Sequence, residues 1–332
     1  MLIYKPSYFD DFRCIASLCP DSCCKEWDVQ VDASAAAMYR NLPGDLGDRL
    51  REVLYDEDGE TYMAIVAGRC PMWRVDGLCR IQAELGEGAL CRTCREFPRL
   101  THDYGDFVER GLELSCPEAA RIILSAAPAP FVTEEIPGGQ EPEYDVDAMA
   151  VLKATRQTAL TLLEDPAYAS AEVLAQLLLY GAQAQGELDG DDIAPFDPEA
   201  AMDTVRSLAQ PGDISAISDF FGKLEILTPQ WCSLLAAAET PVFPEDTRKL
   251  ARYFVERYWL QAVSDYDLMG RVKFAVLSCI LICALPGDFC RNAQLYSKEI
   301  ENSCTNVEAI LDGAYADPAF TDLSLLGLLS NS

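Results

Sequence analysis

Nine of the chain's 14 cysteines stand within the first 116 residues: Cys14, Cys19, Cys23, Cys24, Cys70, Cys79, Cys91, Cys94 and Cys116. That density constrains the fold more than any other feature. The stretch holds short segments and many turn residues, too little to bury a large apolar core alone. Metal ligation supplies the missing organisation in such a sequence. The other five cysteines, Cys232, Cys279, Cys283, Cys290 and Cys304, are scattered over the rest of the chain.

The nine fall into spaced clusters. In CPDSCC, Pro20 suits the first position of a helix, with Asp21 and Ser22 in its first turn. Such a helix places Cys19 and Cys23 near one face and turns Cys24 about 100° away. Adjacent cysteines are poor partners for one disulfide and reasonable ligands to a metal centre or to two neighbouring ones. In CPMWRVDGLC, Asp76-Gly77 is a turn signal that brings Cys70 and Cys79 together. Cys91 and Cys94 form a C-x2-C turn, the usual unit for gripping zinc or an iron–sulfur cluster. Cys116 precedes Pro117, which opens a helix over 117–126. All-thiolate ligation suits zinc and iron–sulfur centres alike. The spacing is neither that of a zinc ribbon nor the C-x3-C-x2-C run of radical-type adenosylmethionine enzymes.

The opening MLIYKPSYFDDFRC lacks the apolar run of a secretory signal, so the expectation is a cytoplasmic chain with reduced thiols. The longest apolar run, Phe274 to Leu285, is too short to span a bilayer and reads as a buried helix. A net charge of -28 argues against nucleic acid and against an anionic membrane as partners.

Charge divides the chain as the cysteines do. Residues 1–125 carry a net charge of -8 and residues 126–332 carry -20. The Pro/Gly-rich segment 126–144 between them reads as a linker or an extended surface crossing. Beyond it the pattern is helical. Helices are expected over 145–163, from a Ser170 cap to about 184, and from the Asp197-Pro198 start signal. Others are expected over about 213–227, 246–263, 267–285, 292–312 and 321–330. The predicted fold class is mostly α, with a cysteine-rich metal-binding part over 1–125, a linker over 126–144 and a helical domain over 145–332. Met63 to Val66 and Phe107 to Leu114 read as short strands or helix ends.

Read in order, CPDSCCKEW, CPMWRVDGLCRI, LCRTCREFPR and LELSCPEAARIIL resemble the flagellin lysine-N-methylase family, within the wider CxxxCC group of zinc- or iron-chelating domains. ARYFVERYW (251–259) and LYSKEIENSCTNVEAILD (295–312) resemble it too, while the stretch 126–245 matches thinly. The resemblance implies Cys19, Cys23, Cys24, Cys70, Cys79, Cys94 and Cys116 as the metal set, with Cys14 and Cys91 additional. It implies methyl transfer from S-adenosylmethionine to lysines of flagellin. It also implies a cysteine-ligated iron–sulfur cluster, 4Fe-4S favoured, with zinc the alternative. Where the family has a His near IENSCTN, this chain has Cys304.

The residues by themselves leave other readings open: a metal-binding or electron-transfer module without methyltransferase activity, or a fold that metal merely organises. A lysine methylase must hold an ammonium, deprotonate it and aim its lone pair, work for acidic and tyrosyl side chains. The acidic second half suits a lysine-bearing partner. No Gly-rich loop follows an apolar strand, so no Rossmann-type cofactor site is indicated. His102, the only histidine, reads as a surface turn residue. Cys279 and Cys283 read as core thiols, and Trp27, Trp73 and Phe97 as the apolar cover of the metal centre.

Overall fold

The structure, a computed structural model, describes residues 1–27, 29–208 and 211–330. It is mostly helical, with two small sheets. Four strands, β1 (Leu2–Lys5), β5 (Arg99–Asp103), β6 (Phe107–Leu112) and β7 (Val132–Glu135), form one sheet in the order β5-β6-β1-β7. Within it β1 runs parallel to β6 and antiparallel to β7. Three strands, β2 (Val29–Val31), β3 (Leu54–Glu57) and β4 (Glu60–Met63), form an antiparallel sheet in the order β2-β4-β3.

Two apolar cores follow. The smaller runs from Val29 to Cys91 and packs the second sheet against α1 (Ala33–Asn41) and α2 (Gly44–Val53), with Tyr39, Leu50 and Met72 fully buried. Two short helices, α3 (Arg80–Leu85) and α4 (Arg92–Glu96), close it on the cysteine side. The larger core takes in Phe9, Phe12, Phe107 and α5 (Pro117–Ser125) along with the long helices. The first sheet, though built mainly from the cysteine-rich half, therefore belongs to the helical body.

Those helices are α6 (Val146–Leu163), α7 (Ser170–Leu188), α8 (Pro198–Leu208), α9 (Ile214–Phe221), α10 (Pro229–Ala236), α11 (Asp246–Tyr258), α12 (Leu268–Ala284), α13 (Phe289–Tyr296), α14 (Cys304–Ala316) and α15 (Asp322–Ser330). Their starts are chemically marked. Asp145 accepts from the amides of Asp147 and Ala148 at 2.9 and 3.0 Å. Asp197 accepts from Glu199 and Ala200, as its Asp-Pro signal predicted. The expected Ser170 cap is replaced: Ser170 is already helical and buried, and Glu172 reaches back to the Ala169 amide at 2.8 Å. The apolar run 274–285 lies in α12, buried on nearly every side at the centre of the body. Each leucine-sized side chain there contributes roughly 1.5–3 kcal/mol. Gly181 lets α7 approach α12 closely, since a Cβ there would meet Val272 Cγ1 at 2.6 Å.

Three expected helices are interrupted. The stretch 213–227 ends at Phe221, and α10 starts afresh where Thr228 caps and Pro229 follows. The stretch 246–263 tightens into a 3-10 turn over Trp259–Ser264. The stretch 292–312 divides into α13, a π-helical turn over Ser297–Glu301 and α14, whose Ser303 cap restarts the helix. The segment 126–144 contains β7, hydrogen-bonded to β1, and so forms a wall of the body. Among the described residues, no helix is long and apolar enough to cross a membrane.

Candidate functional site

The first cysteine cluster is a loop, not the helix its Pro20 suggested. Side chains hold the loop instead. Asp21, expected in a helical first turn, takes Lys298 Nζ at 3.0 Å, Lys25 Nζ at 3.3 Å and Gln294 Nε2 at 3.3 Å. Lys298 also pairs with Glu26 at 2.5 Å and lies 5.2 Å from the Trp27 ring centroid. Only 1% of Lys298 is exposed, so the loop is bolted to the π-helical turn by a cation that solvent barely reaches.

The loop then meets the other clusters. The Cys70 amide donates to the Cys24 carbonyl at 2.7 Å. Gly77, at φ +80°, turns the 70–79 segment back so that Trp73 and Cys79 pair across it, as its Asp-Gly signal predicted. Cys23 and Cys70 act on Cys24 and hold its thiol far below the ordinary range, while their own thiols are raised. Cys70 Sγ itself donates to Met63 Sδ at 3.4 Å. Cys91 is in the same position toward Cys94, and its thiol falls to about 7. Asp32 fixes this turn: one carboxylate oxygen accepts from the Ala35 amide at the start of α1, the other from the Arg92 amide at 2.8 Å. Cys79 is pushed up by burial and feels Cys24 and Cys91. Cys19 and Cys116 are raised by burial, Cys116 to about 11, and both feel Cys14.

By their mutual electrostatic influence the thiols fall into two groups, Cys23, Cys24 and Cys70, and Cys91 with Cys94. Among the described residues, no three His, Cys, Asp or Glu side chains converge as a metal site. Of the apolar cover, Trp27 packs on Phe97 at 6.2 Å, and Arg69 stacks on Trp73 at 4.5 Å. Cys279 is buried in the core as expected, and Cys283 shares a hydrogen bond with Thr247 at 3.4 Å. His102 lies on β5, not in a turn, and burial lowers its pKa.

The π-helical turn has a second face. Glu301 accepts from Tyr258 Oη at 2.8 Å and from Tyr253 Oη at 3.1 Å, and pairs with Arg257 at 3.2 Å. All three partners lie in ARYFVERYW on α11. ARYFVERYW and LYSKEIENSCTNVEAILD therefore meet in one buried charged knot. No periodicity in the sequence announced that contact.

Beside the knot lies a cavity of about 340 Å³, walled by α6, α11, β1 and β7 and crossed by Pro128–Phe131. Two smaller hollows adjoin it, and Glu256 lines all three. Burial pushes the Glu256 carboxyl up to about 7, against the pull of Arg252, which donates to it at 2.7 Å. Arg252 also holds the Ala129 carbonyl at 2.7 Å, pinning the segment that crosses the cavity. A buried, near-neutral carboxyl on a ligand-sized cavity can accept a proton at physiological pH.

No family model matches the sequence, and no solved structure matches it. Over 143 residues the chain is 32% identical to the lysine-N-methylases of Salmonella choleraesuis and Salmonella typhimurium, covering 40% of this chain and 35% of each relative. Over 131 residues it is 35% identical to the flagellar biosynthetic protein FliU of Salmonella muenchen, covering 37% of this chain and 77% of that relative. The chain belongs to the flagellin lysine-N-methylase family. The match spans about a third of the length of the two lysine-N-methylases.

Proposed function

We propose that this chain is a protein-lysine N-methyltransferase that modifies flagellin in the cytoplasm, with S-adenosylmethionine as methyl donor. The observation that carries the reading is its 32% identity to proteins named lysine-N-methylase. When bound, S-adenosylmethionine supplies an electrophilic methyl group. A lysine amine is a nucleophile only after losing a proton. Glu256, poised near pH 7 beside the cavity, accepts that proton on its carboxylate, and Arg252 keeps the carboxylate aimed. The net charge of -28 draws a lysine-bearing protein inward.

The metal centre belongs to the same proposal. Cys19, Cys23, Cys24, Cys70, Cys79, Cys94 and Cys116 hold it as thiolates, an iron–sulfur cluster rather than zinc. The donor chemistry supports this: thiolates are soft ligands, and the Cys24 and Cys91 thiols are held low by neighbouring thiols. The centre's role is to organise the loop that Lys298 docks on the helical body.

The test is mass spectrometry of flagellin co-expressed with the chain. Methyl-mass increments on lysines are expected. Unmodified flagellin beside protein with full metal content leaves an electron-transfer or purely structural centre as the function.

A further inference from the structure

Lysine is scarce in this chain: seven residues against 19 arginines. Five of the seven are held by oxygen. Lys5, Lys25, Lys249, Lys273 and Lys298 each pair with a carboxylate at 3.3 Å or less. Methylating such a lysine replaces N–H donors by carbon and gives up those bonds. Lys153 and Lys223, both exposed, donate no hydrogen bond among the described residues.

Lys153 is placed by other means. Its Nζ rests 3.7 Å from the Phe107 ring centroid. Phe107 is buried and belongs to an aromatic cluster: Tyr104 stacks on it at 4.7 Å, and the rings of Tyr4 and Tyr144 meet it edge-on at 5.8 and 6.4 Å. Burial lowers the Lys153 pKa, against the pull of Asp106 and Glu109. More of this amine is therefore neutral and nucleophilic than of an ordinary lysine. An ammonium on a ring face loses no hydrogen bond when its N–H groups become N–CH3, and methyl-lysine is well held by aromatic faces. Methylation keeps the positive charge, so Asp106 and Glu109 still answer it.

We infer that Lys153 is itself a methylation site, modified by a second copy of this chain, to which it is one more exposed lysine on a protein surface. The inference rests on the methyltransferase reading above and adds a second substrate to it. Lys153 Nζ gives a proton to solvent. Its lone pair then forms an N–C bond to the methyl group of S-adenosylmethionine while the S–C bond breaks, leaving S-adenosylhomocysteine and a methylated ammonium. The donor stays in the catalysing copy, so Arg156 and Arg252, which share the cavity wall with Lys153, are not asked to accept a cation. At physiological ionic strength salt screens the repulsion between two acidic copies.

The experiment uses the full chain, purified without flagellin and reconstituted anaerobically. It is incubated with S-adenosylmethionine whose methyl group is deuterated, and its peptides are mapped by mass spectrometry. Label is expected on Lys153, about tenfold above that on Lys223, which has no ring beneath it. The rate per chain should rise with protein concentration. Phe107→Leu should lower the label on Lys153 about tenfold, with its melting temperature checking that it folds. Label shared equally between Lys153 and Lys223, or a rate per chain independent of concentration, overturns the proposal. Unlabelled Lys153 in a chain that methylates flagellin overturns the site and spares the function. A chain that labels neither itself nor flagellin overturns both.

Discussion

Lys298, on the π-helical turn, holds Asp21 of the CPDSCC loop at 3.0 Å, and the two residues are 277 positions apart in the chain. The bond ties the cysteine-bearing loop to the helical body. Three residues further on, the same turn presents Glu301 to α11. A π-helical turn is uncommon and often marks a functional site, because its extra residue re-aims side chains within one turn. Here it sends Lys298 to the cysteines and Glu301 to the charged knot.

Replacing Lys298 by Met leaves Asp21 and Glu26 without their shared cation. Breaking such a pair costs about 3 kcal/mol. Urea unfolding should show that loss, and limited proteolysis should cut faster between residues 14 and 27. Against the upward push of burial, the Lys298 charge does most to hold the Asp21 carboxyl below its ordinary value. The pair's contribution is therefore present above the unfolded carboxylate pKa and lost as pH falls through the lower folded value. Equal stability of variant and wild type at pH 7 would contradict the docking role.

Glu301 and Arg257 form a coupled unit. Glu301→Gln keeps an acceptor for the tyrosines but removes the nearest counter-charge of the buried Arg257 guanidinium, leaving only the more distant Glu113, an expected loss of about 3 kcal/mol. Adding Arg257→Gln should restore much of it. Strictly additive losses in the double variant would mean that the two side chains do not compensate each other.

Glu256 gives the chain a pH signature. With a folded value of about 7, it holds a proton that the unfolded chain releases near its ordinary value of 4.5. Stability therefore falls as pH rises through that window. Glu256→Gln removes the effect. Measured by thermal melting, its advantage over wild type should grow between pH 5 and pH 8 by on the order of 1–3 kcal/mol. A constant difference across that range would contradict the assignment. The same variant should methylate slowly at every pH, whereas wild type should gain activity as pH rises through about 7.

The metal proposal separates cysteines by contact. Cys24→Ser should retain little iron after anaerobic reconstitution, because Cys24 is the thiol on which both Cys23 and Cys70 act. Cys91→Ser should lose part, since Cys91 sits against Cys94. Cys279→Ser, deep in α12, should keep the full complement. Iron and sulfide analysis decides. Full loading of Cys24→Ser would remove it from the ligand set.

Local chemistry was legible in the sequence wherever its cause was local. The Asp197 cap, the Asp76-Gly77 turn, the helix after Cys116 and the buried run in α12 depend on neighbours within a few residues, and their patterns announced them. The cysteine spacings and the two C-terminal strings pointed to the family for the same reason. What the chain does with Asp21 was invisible, because Lys298, 277 residues away, decides that the loop is docked rather than helical. The 126–144 segment lacked periodicity, yet β1 supplies its hydrogen bonds, and that pairing makes it a wall of the cavity. Charge assignments came last of all. Arg156 and Lys153 look alike in sequence, and only Glu109, brought against α6 by β6, gives Arg156 its buried bidentate partner. Short-range order is set by propensity and capping, but a buried charge takes its meaning from whatever the tertiary fold places beside it.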